Sequence, residues 1–485
     1  MLLRVLLRPL LFLGGPGQVS LLATGVEYYW PQQKGDVNRT GYSPYPVAND
    51  LTVEPSWVWR DPYLDVIRCT PLIDDKKNIY LGTQSGRLWK FDHEGHVLWY
   101  WKSPLGNTPT VSSIMDGTLY GNTGAGFVFA IDMQTGIERW AVQVSSSTAG
   151  DTACVFAING TIISATRRPG QNDGHNNMVV ALNTDGSLRW TFQHDWPSFN
   201  FQASSPGDDT VIFQDHFGGI YRLGLADGKL IWESGVADRM PWFFTTGATV
   251  VGPNGLVYCA SNYHNQMGII HAYRLSDGAP VWRKELGTQV NQAVAFGKLA
   301  GSERPAVVAG IGENPGYPWI SWFRPWVPEV VKSFFNQLSH RAAGWPTWFW
   351  GTKVLPAFLV ALDAETGERR WTFVPPPFMR PSSEGDEAML MERSYASAAA
   401  KDYPGDQICL PDDWAQAVIG GDGTTYAGHQ DGRLYAVRDA NGNGKIEEGE
   451  VSSYYFGAAF QGSQGIAPGM LAVAPCGGGL YVWKS

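Results

Sequence analysis

The chain has 485 residues with 57 glycines, 21 tryptophans and only 17% charged residues, and 36 basic against 45 acidic side chains leave a net charge of −9. That balance excludes a nucleic-acid binder, which needs a basic face to displace counterions, and the 44% hydrophobic content excludes a disordered chain. Tryptophan with abundant glycine and little charge is the profile of many short strands joined by tight turns.

Residues 1–25 read as a targeting segment. MLLRVLLRPLLFLGG carries two arginines and a leucine-rich run, and Glu27 is the first acidic residue. A cationic start followed by 7–15 apolar residues is the pattern of an export signal, which places the protein outside the cytoplasm or in a lumen. An organelle transit peptide is the alternative, and the scarcity of serine counts against it. Arg8 and Pro9 interrupt the run, which is too short for the ~20 apolar residues of a spanning helix. Everything from 26 to 485 is expected to form one repeat domain.

The repeat shows itself in six segments: KFDHEGHVLW, AIDMQTGIERW, ALNTDGSLRW, GLADGKLIW, YRLSDGAPVW and ALDAETGERRW. In each, a turn glycine (Gly95, Gly136, Gly186, Gly228, Gly278, Gly367) precedes a tryptophan by four residues (Trp99, Trp140, Trp190, Trp232, Trp282, Trp371). The glycine supplies a positive φ for a hairpin turn, and the tryptophan opens an outer strand whose ring packs between neighbouring sheets. Upstream hairpins such as IYLGTQSGRLWKFD alternate apolar and polar residues. A period of about 40–50 residues with four strands per unit is that of a propeller blade. VSSYYF (451–456) supplies a seventh outer strand, with tyrosine in the aromatic role. PSWVWR (55–60) is an eighth with no blade before it, and MLAVAPCGGGLYVWKS at the C-terminus lacks an outer partner. Joining the two closes an all-β, eight-bladed ring and leaves no open sheet edge.

These repeats resemble the quinoprotein-like eight-bladed propellers, that is, the alcohol dehydrogenases dependent on pyrroloquinoline quinone (PQQ) and their non-enzymatic relatives. The A-x-D-x-x-T-G-x-x-x-W signature stands at Ala130–Trp140 and Ala361–Trp371, and WPQQKGDVNRTGYSP (30–44) is similar to the start of secreted members. For the enzymes the resemblance implies a quinone clamped by a disulfide of adjacent cysteines, a calcium ion and a catalytic aspartate. This chain has no adjacent cysteines, and no aspartate, glutamate and asparagine match that set. The resemblance therefore implies a non-catalytic propeller acting as a binding or scaffold subunit, with PQQ-dependent oxidation the alternative.

Two stretches interrupt the repeat, giving the propeller two loop or helical insertions. Residues 313–353 hold six tryptophans and an expected amphipathic helix opened by Pro328. Three roles suit it: a lid on the propeller's own face, a docking element for a partner protein, or a contact with a membrane surface. Residues 376–415 form the other insertion, with a short helix expected over 383–400 and no recognisable chemistry.

The last turn is different. DANGNGKIEEGE, residues 439–450, fits the twelve-residue EF-hand calcium loop between two strands instead of two helices. Asp439, Asn441 and Asn443 fall at positions 1, 3 and 5, Gly444 at the bend, and the Lys445 carbonyl at 7. Glu447 falls at 9 and Glu450 at 12, a set of hard oxygens suited to a structural calcium ion. A long Asn/Gly hairpin is the alternative.

Three weaker features complete the reading. The five cysteines are dispersed, so Cys154, Cys259 and Cys476 are expected as buried thiols and no disulfide framework is expected. His216 and His429 share one repeat position and read as turn residues rather than metal ligands. Asp412–Asp413 beside Trp414 is an acidic pair in a loop. Asn38-Arg39-Thr40 and Asn159-Gly160-Thr161 match the glycosylation sequon, the second being also an Asn-Gly turn.

Overall fold

The computed structural model describes residues 27–107, 111–146, 154–166, 176–198, 200–235, 243–244, 248–263, 267–313, 354–379, 383–385, 409 and 412–485. Within them the chain forms 32 β-strands and no helix, arranged as eight small antiparallel sheets. Each sheet is one blade, and in blades 1 to 7 the strands follow chain order from a buried inner strand to an outer one. In blade 1, β2 (Leu72–Ile73) and β3 (Ile79–Gly82) are wholly buried, whereas β5 (Val97–Lys102) alternates exposed and half-buried residues. Blade 2 runs β6 to β9 (Val111–Gln143) and blade 3 β10 to β13 (Phe156–Ser198). Blade 4 is β14 to β16 (Thr210–Ser234), where Ser204 bridged to Ile212 stands in for the inner strand. Blade 5 spans β17 to β21 (Phe243–Glu285), blade 6 β22 to β25 (Ala295–Phe373) and blade 7 β26 to β29 (Val418–Tyr455).

Blade 8 closes the ring as the sequence requires. Its first three strands, β30 to β32 (Gly465–Lys484), come from the C-terminus, and its outer strand is β1 (Trp57–Arg60), paired through Trp57↔Val482 and Arg60↔Gly479. The two ends of the chain thus share one sheet, and the ring has no unpaired seam.

The repeated glycines answer to a second constraint besides backbone conformation. All six adopt φ between 67 and 94°. A Cβ on Gly136 would also lie 2.7 Å from the ring of Trp99, the tryptophan of the preceding blade, and Gly228 and Gly278 stand equally close to Trp190 and Trp232. Each indole covers the next blade's turn and donates its Nε1–H to a carbonyl there, as in Trp99 to Met133 (3.1 Å) and Trp282 to Ala364 (3.0 Å). The same clasp joins blade 8 to blade 1, with Trp57 lying on Gly95. Six consecutive boundaries, from 8/1 through 5/6, are fastened in this way.

The segment before β1 forms the hub. Trp30 pairs with Ile73 of blade 1, the Pro31 carbonyl accepts from Ile114 of blade 2, and Gln32 donates to Ala157 of blade 3 (2.9 Å). The carbonyls of Val37, Asn38, Thr40 and Gly41 then accept from Ser205, Val251, Phe296 and Ile419, in blades 4 to 7. Twelve residues of chain, Trp30 to Gly41, therefore touch the inner edge of seven blades in ring order. Lys34 and Arg39 are fully buried in this hub. The Lys34 ammonium donates to the carbonyls of Ala293 and Val294, and the Arg39 guanidinium to those of Ala203 and Gln33. From the hub the chain crosses blade 7, where the Ser452 hydroxyl accepts from Leu51, and becomes β1.

One sequence expectation is corrected. Cys476 is not a thiol: it is disulfide-bonded to Cys409, 67 residues earlier, with Cα atoms 5.6 Å apart. The bond joins the end of the second insertion to the turn between β31 and β32, a proximity created by the ring and invisible in the spacing. Cys69, Cys154 and Cys259 are buried thiols. The expected helix in 313–353 lies outside the described residues, as does most of the one expected over 383–400.

Candidate functional site

Two places on the ring concentrate functional groups, one on each face. In every blade the first-to-second and third-to-fourth strand turns lie on one face. The second-to-third turns and the links between blades lie on the other, because neighbouring strands run antiparallel.

On the first face, beside the hub, is the 439–450 loop between β28 (Arg433–Val437) and β29 (Val451–Tyr455). Asp439 caps the bend: its Oδ1 accepts from the Asn443 amide (3.1 Å) and its Oδ2 from the Gly444 amide (2.9 Å). Gly444 takes φ 78°, as the sharp turn requires. The Asn441 and Asn443 side-chain oxygens accept from the amides two residues on. At the far end the Glu450 carboxylate accepts from Ala440 (2.8 Å) and Glu447 (3.0 Å), and these backbone donors hold its carboxyl below the usual range. The Glu447 carboxylate receives the carboxamides of Asn441 and Asn443 (3.2 and 3.4 Å). The loop therefore gathers the side chains of Asp439, Asn441, Asn443, Glu447 and Glu450 into one hydrogen-bonded turn, with Lys445 on its rim. Among the described residues no three His, Cys, Asp or Glu side chains form a metal-holding group. Half of the six donors in the EF-hand pattern here are carboxamide or carbonyl oxygens, so the donor set is compatible with a hard cation.

On the opposite face both insertions are rooted. The first leaves at Glu313, after β23 (Pro305–Gly312), and returns at Val354 before β24 (Ala357–Asp363). The second leaves after β25 (Arg369–Phe373) and rejoins ahead of β26 (Val418–Ile419). Their roots touch, since Leu355 is bridged to Phe378. Ser383–Gly385 is tied to blades 7 and 8: the Glu384 amide donates to Gln430, its carbonyl accepts from Ala459, and the Tyr455 hydroxyl donates to its carboxylate (2.6 Å).

Beneath these roots the sequence's acidic pair is assembled into a polar cluster. Asp413 and Trp414 are buried. Burial, and after it the adjacent Asp412, pushes the Asp413 carboxyl well above its ordinary range. The Gln292 carboxamide donates to Asp412, and the Asn262 carboxamide to Asn291 (2.7 Å). Gly310 and Gly312 leave the room that Trp414 and Asp413 fill. The Trp414 ring lies against His429 (centroids 4.5 Å apart), and the imidazole Nδ1 meets the Asp431 carboxylate at 3.0 Å. The Tyr435 hydroxyl donates to the same carboxylate (2.6 Å). His429 is thus a turn histidine packed into the blade, as expected. His216 occupies the matching turn of blade 4, its amide donating to the Pro197 carbonyl (2.7 Å). The sequence did not reveal that Asn262, Asn291 and Gln292 join the acidic pair. Asn262 comes from β19 of blade 5 and the other two from the link between blades 5 and 6, and none carries a local motif.

The sequence profile described as "Outer membrane protein assembly factor BamB" matches residues 55–168 and 84–268. Among solved structures the ring is similar to BamB from Moraxella catarrhalis, with TM-score 0.57 and 16% identity over 89% of this chain and 99% of that one. The fold is that of the quinoprotein-type eight-bladed β-propellers. The ring is also similar to a quinohemoprotein alcohol dehydrogenase from Pseudomonas putida HK5, with TM-score 0.62 and 11% identity over 94% of this chain and 80% of that one. A third similar structure is the quinohemoprotein alcohol dehydrogenase of Comamonas testosteroni, at 0.60 and 12% over 94% and 81%. At these identities the likeness concerns the fold. No curated protein matches the chain by sequence.

Proposed function

We propose that this propeller is a non-catalytic, extracytoplasmic scaffold that docks protein partners on its insertion-bearing face and carries a structural calcium ion in the 439–450 loop. The observation that carries the docking reading is the rooting of both insertions side by side at blades 6 and 7, the second fastened by Cys409–Cys476 and Glu384. The disulfide supports an oxidising compartment, in keeping with the cationic, leucine-rich N-terminus. The BamB likeness supports an assembly role, since that profile is described as an outer-membrane assembly factor.

The quinone reading finds less support in this chain's residues. The clamp of adjacent cysteines implied by the resemblance has no counterpart, because the disulfide here joins cysteines 67 positions apart.

Cross-linking to partners in an extract of the native source tests the docking reading. Links are expected to map to the face bearing residues 313–353 and 376–415, and to disappear when 317–350 are deleted. Links confined to the hub face would overturn it, as would dye-linked alcohol oxidation that appears after PQQ and calcium are added. For the ion, isothermal titration of the folded protein with calcium is expected to show one site that Asp439→Ala abolishes. Absence of heat with the wild type would end that part of the reading.

A further inference from the structure

Six boundaries of the ring are fastened by an indole lying on a turn glycine of the next blade. The 6/7 boundary is built differently. The tryptophan of blade 6, Trp371, is buried among Tyr435, Val437 and the half-buried Ile446 and Val451. The turn that would receive it has been replaced by the 439–450 loop. That loop is pressed against blade 6 at two points. Gly301, in the turn between β22 (Ala295–Lys298) and β23, approaches so closely that a Cβ there would lie 2.5 Å from the Asp439 carbonyl and 2.7 Å from the Gly442 amide. Gly444 faces the Arg370 carbonyl on β25, where a Cβ would stand 3.0 Å from it. The blade 6 side is stiff. Arg370 bonds the Asp363 carboxylate (2.7 Å) and the Arg304 carbonyl (2.6 Å), and Arg304 reaches the same carboxylate (2.7 Å).

We infer that the 439–450 loop is a metal-held clasp that takes the place of the tryptophan–glycine clasp at the 6/7 boundary, so that calcium occupancy sets how firmly blade 7 is locked to blade 6. The inference rests on the calcium reading above. The residues that would feel the ion first are those that touch blade 6: Asp439 through its carbonyl, and Gly442 and Gly444 through their backbone. Ile446 extends the loop into the shared apolar core. An ion that fixes the carboxylates of Asp439 and Glu450 fixes the backbone between them, and that backbone is the contact surface. The six boundaries from 8/1 through 5/6 have no such dependence, because indole packing and one neutral hydrogen bond hold them. The 6/7 boundary also lies beside the insertion roots, so its stiffness is transmitted to the docking face through β23 and β24.

Hydrogen exchange of the whole protein, with and without calcium at a hundredfold excess over its dissociation constant, tests this. Calcium is expected to slow exchange by up to about a hundredfold in 439–450. Exchange in 299–305 and 369–373 of blade 6 is expected to slow in parallel, with no change at the 2/3 boundary. Gly301→Val keeps every loop oxygen and is expected to bind calcium by titration while losing the protection in blade 6. Calcium binding with protection confined to 439–450 would overturn the clasp and leave the calcium site standing. No binding heat in the wild type would remove the site and the clasp together. A Gly301→Val protein whose blade 6 protection matches the wild type would overturn the clasp as well.

Discussion

Substituting valine for Gly136 would place a Cβ 2.7 Å from the Trp99 ring on a backbone with φ 72°. Strain and overpacking act together there, and we expect Gly136→Val to cost about 2–4 kcal/mol by urea denaturation. Gly160 also has positive φ but nothing within 4 Å of its Cβ position, so Gly160→Ala should cost no more than about 1 kcal/mol. A comparable loss at both positions would show that indole packing is not what the repeat glycines protect. The buried lysine of the hub gives a second prediction. Desolvation pushes Lys34 down to about 7, so the folded state binds fewer protons than the unfolded one between pH 7 and the ordinary lysine value. Stability should therefore rise with pH across that window. Above about pH 10 the trend reverses, because burial raises the hydroxyls of Tyr80, Tyr258, Tyr426 and Tyr435 and their ionisation then favours unfolding. Lys34→Met should flatten the lower limb and leave the upper one unchanged in a pH series of denaturation midpoints. An unaltered lower limb would remove Lys34 as its cause.

Among the elements, the second insertion is held by the Cys409–Cys476 bond across 67 residues. Chain-entropy reasoning gives such a loop about 4 kcal/mol. Cys476→Ser should lower the thermal midpoint and make it insensitive to dithiothreitol, whereas the wild type should lose stability on reduction. Equal midpoints for oxidised and reduced wild type would contradict this. The disulfide also marks where sequence reading stopped. The outer strands were legible because Trp99, Trp140 and their counterparts recur at a fixed distance from a turn glycine, and β1 was legible because WVWR had no blade of its own. That 439–450 joins two strands as a long turn was legible because its turn-forming residues are contiguous. The partner of each indole, the company of Asp413 and the bond to Cys409 were not legible, because each joins residues that only the closed ring brings together. Cys476 read as a thiol for that reason: its apolar surroundings are local, and its partner is not.

For the molecule as a whole, stability depends on a continuous circuit of joints, not on one central core. Apolar clusters follow one another around the ring, and one of them gathers Trp30, the strands of blades 1 and 8 and parts of blade 7. Removing 27–60 would delete both the hub and the outer strand of blade 8. We expect that truncation to abolish the single cooperative transition expected of the intact ring, and to expose the edge of β32 (Gly479–Lys484) to association with other chains. Recovery of a monomer with an unchanged melting curve, by light scattering and calorimetry, would show that the hub is dispensable.

The position of the hub has a consequence for biosynthesis. Residues 30–45 are made early, yet Ile419, which pairs with Gly41 and Ser43, is made near the end of translation. The last of the strap's contacts must therefore wait until nearly the whole polypeptide is available. A protein wired in this way closes its circle only once synthesis is nearly complete.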